Sequence, residues 1–204
     1  MKKFFTVKNI SILGILTAIV VVLQTLSNYI SFGPVSITLS LIPIAVGALL
    51  LGPIGGAFLG LINGVIVLLA PSTQGFLNIN VWATILICLV KTTLAGMVAG
   101  FIFMPFKKMN KNLLLGSILA SISIPLINTG LFAAGSILFF QGLLESIRSS
   151  LGYENIYAAL FLGIIGINFI IEFTVNSVLS PVVYRITTIW MKRNKEKKTN
   201  ENEL

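Results

Sequence analysis

Histidine is absent from the 204 residues, and Cys88 is the single cysteine. Without imidazole, nearly all zinc, copper and haem ligand sets are excluded, and one thiol cannot form a disulfide framework. Charge is scarce too. Only 10 % of residues are Asp, Glu, Lys or Arg, far from the roughly 25 % of an ordinary soluble domain. Nor is there a G-x-x-x-x-G-K-[ST] phosphate loop, an H-E-x-x-H pair or a G-x-S-x-G elbow. Those absences remove ATP hydrolysis by that route and two hydrolase classes. Acid–base chemistry inside the apolar part of the chain would rest on Glu172 and Lys91 alone. No enzymatic activity, cofactor or metal is expected.

What fills the chain instead is apolar sequence. The hydrophobic fraction is 56 % and the mean hydropathy is +0.99. Six long apolar runs stand at residues 10–28, 39–51, 53–70, 81–104, 113–139 and 158–191. A bilayer core about 30 Å thick takes roughly 20 helical residues to cross. Lipid tolerates no unpaired backbone polar groups, so only helices or closed barrels can span it. These runs are too continuous for barrel strands. The expected fold is all-α: a six-helix transmembrane bundle over residues 1–191, then a polar, basic tail without regular structure at 192–204. The second and third runs are short and are expected to tilt or to be shielded by neighbours. Pro105 is expected to close the fourth span, and Pro181 to kink or break the sixth. The first, behind Lys2, Lys3 and Lys8, resembles a signal peptide but lacks a small-x-small cleavage site, so an uncleaved helix is expected.

Orientation follows from the cations. Six spans put both termini on one side, together with the segment at 105–112. Twelve of the fourteen Lys and Arg residues fall there: Lys2, Lys3, Lys8, Lys107, Lys108, Lys111, Arg185, Lys192, Arg193, Lys195, Lys197 and Lys198. The positive-inside rule then makes both termini cytoplasmic and turns the loops at 29–38, 71–80 and 141–157 outward. In the first loop, Gly33-Pro34 marks a turn and the alternation at 35–38 suits a short strand or hairpin arm. A net charge of +8 distributed this way is a membrane flank and points to no nucleic-acid partner.

Small residues recur at helical spacing. Gly56, Gly60 and Gly64 line one face of the third span, with Ala95, Gly96, Ala99 and Gly100 on the fourth, a pattern that lets helices approach closely in lipid. Packing within the chain is the expected use of both rows. Gly14 and Ala18 on the first span suit an internal contact or one with another subunit equally well.

Polar side chains inside spans are costly and tend to face the bundle interior. At 1.5 Å per residue, Lys91, Asn128 and Asn168 lie roughly 15 Å below the outer ends of three different spans. Asn168, Glu172 and Asn176 recur every four residues and share a face, while Thr84, Cys88 and Lys91 form one stripe of the fourth span. Two uses are open for Lys91. It pairs with Glu172 as a buried ion pair, or it anchors an anionic ligand oriented by Asn128 and Asn168, with Glu172 as its partner when the site is empty. Asn63 on the third span suits close packing or ligand contact. Trp82 fits the outer aromatic belt or the cap of a pocket.

The stretch from Ile37 to Gly60, with Ile42-Pro43, Gly52-Pro53, Gly56 and Gly60, resembles the substrate-binding S components of energy-coupling factor (ECF) vitamin transporters. The resemblance implies a subunit that captures a vitamin or its precursor near the outer face. It would then dock on a transmembrane coupling subunit driven by two cytoplasmic ATPases. Sites in that family draw on the loops after spans one and three and on spans four to six, which would include Lys91, Asn128 and Asn168. Small residues on span one meet the coupling subunit, and here Gly14 and Ala18 stand in that role, a glycine replacing one alanine. Within the family, the loop ending at Asn80 and the segment from Val90-Lys91-Thr92 to Gly100 resemble pantothenate-type components. Pantothenate carries a carboxylate for Lys91 and hydroxyl and amide groups for the asparagines. A riboflavin site would show convergent aromatics, and a thiamine site a carboxylate at the level of Lys91. Folate, riboflavin or niacin remain alternative substrates, and an ion-driven secondary transporter or an assembly protein alternative functions.

Overall fold

The computed structural model describes the backbone of residues 6–29, 31–32, 35–36 and 38–202, and the side chains of 6–29 and 38–193. Helix α1, Val7–Ser27, is capped by Thr6, whose hydroxyl accepts from the Asn9 amide at 3.3 Å. It buries Leu16, Val20, Gln24 and Ser27, spaced by four, four and three residues, and turns Ile15, Ile19 and Val22 outward. A two-residue antiparallel ladder follows, β1 (Ser31–Phe32) on β2 (Val35–Ser36), with Ser31 opposite Ser36 and Phe32 opposite Val35. The hairpin arm at 35–38 is thus present as far as Ser36, and the Gly33-Pro34 turn lies outside the described residues.

Helix α2, Leu41–Leu51, is buried along nearly its whole length. Gly52, at φ 80°, ends it in a conformation that side chains avoid, and Pro53 opens α3, Pro53–Leu68. Eleven residues rise only about 16 Å. Enclosure by α1, α3, α5 (Val81–Met109) and α9 (Gly166–Asn202) explains how so short an apolar helix is accommodated. Among the described residues, four helical stretches are long and apolar enough to cross a membrane: α1, α5 (Val81–Met109), α6 (Leu113–Phe139) and Ile156–Arg193. Helix α3 with the bent segment Pro71–Ile79, turned by 74°, makes a fifth. The protein is therefore an all-α membrane bundle.

Three expected boundaries move. Helix α5 does not stop at Pro105 but continues to Met109, ending where Asn110 and Asn112 take left-handed backbone angles of 52° and 50°. Asparagine tolerates that region better than most residues. Pro181 lies inside α9, Gly166–Asn202. The Ser177 carbonyl, which loses its backbone donor to Pro181, accepts from Ser180 Oγ at 2.8 Å. Beyond Lys192 the chain continues as helix to Asn202, in keeping with the good helix propensity of Lys and Glu.

Two of the loops expected to face outward are themselves helical. A single 3₁₀ turn, Pro71–Thr73, and helix α4, Gln74–Ile79, fill 71–79. Helix α7, Gln141–Leu151, occupies the segment after α6 and buries Leu144 against Leu160 and Ile164. Helix α8, Ile156–Ala158, runs through a π-helical turn, Ala159–Ile165, into α9. Such wide turns often mark functional sites.

The rigid seam of the bundle is α3 against α5. A Cβ on Gly60 would stand 2.1 Å from the Thr92 carbonyl oxygen, and one on Gly56 2.1 Å from that of Gly96. One on Gly64 would stand 2.6 Å from the Cys88 carbonyl oxygen. Each four-residue step along α3 matches a four-residue step back along α5. Backbone meets backbone, as the small-residue rows predicted. Gly14, by contrast, has nothing within 4 Å, and Gly14 and Ala18 both lie on the exposed face of α1.

Candidate functional site

Fixing α5 against α3 also fixes the stripe Thr84, Cys88, Lys91. That stripe faces two adjoining cavities. The larger, about 480 Å³ of empty space, is bounded by Thr84, Ile87, Cys88 and Lys91 of α5, by Thr73 and Phe76 of the 71–79 segment, and by Phe132 and Phe140. The smaller, about 320 Å³, is bounded by Lys91, by Asn128, Thr129 and Phe132 of α6, and by Asn168, Phe169 and Glu172 of α9. Thr38, Lys91 and Phe132 border both.

Lys91 stands at the junction. Its side chain is buried, with 7 % of the residue exposed, and its ammonium lies 4.9 Å from the centroid of the Phe132 ring. A cation over an aromatic face gains electrostatic attraction. An ammonium still carries three N–H donors, and none reaches an acceptor among the described residues. The contact ion pair with Glu172 that the sequence allowed is not formed there; the ion pair present among those residues is Arg148–Glu145, on α7. Glu172 is held differently. Its Oε1 accepts the Thr38 backbone N–H at 2.8 Å, and the Thr38 hydroxyl, the Lys91 ammonium and the Asn128 amide nitrogen are near enough to act on the same carboxyl group. Asn128 Oδ1 is without a partner among the described residues. Asn168 donates to the Ile164 carbonyl at 3.3 Å, and Asn176 to that of Glu172 at 2.8 Å.

The aromatic wall of the larger cavity is self-supporting. Phe76 packs edge-on against Phe132 at 5.7 Å and against Phe140 at 5.2 Å, the geometry that ring quadrupoles favour. The threonine hydroxyls at the rim are committed to backbone. Thr73 Oγ1 donates to the Val67 carbonyl at 2.6 Å and Thr84 Oγ1 to that of Asn80 at 2.7 Å.

Four of the seven candidate ligand-contact residues therefore meet in one cavity: Lys91, Asn128, Asn168 and Glu172. The other three do not line either space. Asn80 caps α5, its side chain accepting from the Ala83 amide at 3.1 Å. Trp82 is 82 % exposed on the outside of the bundle. Asn63 is buried between α1, α2 and α3, where Ser40 Oγ lies 2.6 Å from its Oδ1 and 2.7 Å from Gln24 Oε1. Sequence reading passed over Thr38, Phe76, Phe132 and Phe140. Phe132 had a usable signal, standing four residues after Asn128 on the same helical face. The Thr38 contact had none, because it is made by a backbone N–H.

A helical membrane bundle that buries an ammonium with no acceptor among the described residues, beside an amide-lined cavity, defines a class: a membrane protein built to hold a small molecule. Residues 8–184 match the family described as ECF transporter, substrate-specific component. The chain belongs to that family, and is a substrate-specific membrane subunit of that kind of transporter. Membership implies a small-molecule substrate and association with a coupling subunit and ATPases. None of the curated proteins matches the chain.

Proposed function

We propose that the protein captures a small carboxylate-bearing vitamin or precursor, pantothenate being the leading candidate, and delivers it to the cytoplasm of a bacterial cell. The observation that carries this reading is the Lys91 ammonium, buried at the junction of two cavities with no acceptor among the described residues. Keeping such a charge inside an apolar bundle is expensive, and an incoming carboxylate would relieve it. Asn128 and Asn168 line the same space and would orient the ligand's hydroxyl and amide groups.

Both termini face the cytoplasm in this reading. The cavity floor then lies below outward-facing covers formed by 71–79 and α7, and substrate arrives from outside. Gly14 and Ala18 leave the exposed face of α1 smooth and would meet the transmembrane coupling subunit, which two ATPases drive. The chain itself needs no nucleotide for ligand capture. Purified protein should retain its ligand through gentle solubilisation, and mass spectrometry of the denatured sample should then show a small acid. Lys91→Met should weaken its binding by several-fold to about a hundredfold. Recovery of a neutral ligand, or unchanged affinity in Lys91→Met, would overturn the anchor role.

A second reading has one specific observation behind it. Phe76, Phe132 and Phe140 converge on the larger cavity, the feature expected of a site for a ring-bearing vitamin such as riboflavin, folate or niacin. The same mass-spectrometric measurement separates the two.

A further inference from the structure

The smaller cavity has a polarity that narrows its ligand further. The Asn128 amide nitrogen is turned toward the Glu172 carboxyl. Its carbonyl oxygen is the end left over, 4 % of the residue exposed and without a partner among the described residues. A buried amide oxygen without a donor forfeits about one hydrogen bond and the cost of removing it from water. Three donors face the Glu172 carboxyl: the Thr38 N–H, the Thr38 hydroxyl and the Asn128 amide. A carboxylate offers about four. The Asn168 amide gives an N–H to Ile164. Across the junction, the Thr73 and Thr84 hydroxyls have given their protons to backbone carbonyls and present only oxygen lone pairs. The site therefore offers one strong donor, Lys91, among a surplus of acceptors.

We infer that the ligand is an acid that also bears N–H or O–H donors, its carboxylate placed on Lys91 and a donor on Asn128 Oδ1, with the remaining lone pair of Glu172 beside it, so that Asn128 selects for donor-bearing acids over donor-free ones. This rests on the reading of Lys91 as an anion anchor and adds to it a requirement at the other end of the molecule. A site built to hydrogen-bond a ligand rejects analogues lacking those groups, because its own buried acceptors then remain unmet. Two independent features thus meet in one cavity: a cation lacking an acceptor and a buried acceptor lacking a donor.

Calorimetric titration of the full-length protein in detergent tests it with three probes. Pantothenate and biotin are acids with O–H or N–H donors. Nicotinate is an acid with neither once ionised. Wild type should bind at least one donor-bearing acid tenfold or more tighter than nicotinate. Asn128→Leu should erase that margin by costing the donor-bearing acids far more affinity than it costs nicotinate. Glu172→Gln, which keeps an acceptor for Thr38 but replaces a carboxylate oxygen with a donor, should narrow the margin in a protein with unchanged thermal unfolding. If nicotinate binds as tightly as the donor-bearing acids, or if Asn128→Leu lowers all three affinities equally, the inference fails and the Lys91 anchor stands. If none of the three acids binds, the anchor itself fails.

Discussion

The ammonium of Lys91 sits 4.9 Å from the centre of the Phe132 ring, so one side chain of α6 steadies the cation on α5. Replacing Phe132 with Leu keeps an apolar body of similar reach but removes the π-face. The attraction lost is about 0.5–2 kcal/mol, expected as a few-fold fall in affinity for an acidic ligand. Isothermal titration on Phe132→Leu checks this. An unchanged affinity would show that packing alone holds Lys91 in place.

The α3–α5 seam predicts a sharp contrast between two glycines. Gly60→Ala drives a methyl group into the Thr92 carbonyl, and overpacking of this kind costs about 1–3 kcal/mol. A lower unfolding temperature and weaker ligand binding should appear together, because Thr92 neighbours Lys91 on α5. Gly14→Ala meets open space and should leave thermal unfolding unchanged or slightly raised, since Ala favours helix over Gly by about 1 kcal/mol.

Gly14 carries a second expectation. Gly14→Leu should leave ligand affinity of the isolated subunit intact and reduce its co-purification with a coupling subunit. A variant that still assembles normally would move the docking surface elsewhere.

At the end of α2, Lys107 Nζ donates to the Leu49 and Leu50 carbonyls at 3.0 and 2.9 Å. These are among the last carbonyls of a helix, which lack intrahelical donors. Lys107→Met leaves them unmet, a cost of about 1–3 kcal/mol, visible as a lower unfolding temperature in detergent. Lys107 thus does more than add to the basic flank of the bundle.

On α7, Arg148 grips the Glu145 carboxylate through Nε at 2.9 Å to each oxygen. Hydrogen bonding to the guanidinium holds the Glu145 carboxyl below its ordinary value of 4.5. A depressed acid keeps its pairing above that value and loses it as pH falls further. Amide exchange over 141–151 should therefore be flat from pH 5 upward, after correction for intrinsic rates, and should quicken below about pH 4. Glu145→Gln should abolish that acid-side step.

Much of this architecture could be read from residue order alone. The apolar runs gave the helices because lipid length and backbone satisfaction leave few choices, and the spacing of Gly56, Gly60 and Gly64 announced the close seam. Lys91, Asn128, Asn168 and Glu172 betrayed themselves because polar groups are rare inside apolar helices. What escaped was of two kinds. Helix α7 and the 71–79 cover are short and mixed in composition, so they read as loops until Leu144 and Phe76 find their neighbours. Phe132 and Phe140 are indistinguishable in sequence from the other apolar residues of a helix, and only tertiary packing turns them toward the cavity. Asn80 and Trp82 show the reverse case: prominent residues that stand outside both cavities, Asn80 capping α5 and Trp82 exposed, as its aromatic-belt reading expected.

The backbone seam between α3 and α5 has an engineering consequence. Because that wall is braced by glycine contacts, the side chains at Thr84, Ile87 and Lys91 can be exchanged without unlocking the scaffold. Libraries meant to retarget this transporter toward other nutrients should randomise those three positions and hold Gly56, Gly60 and Gly64 constant.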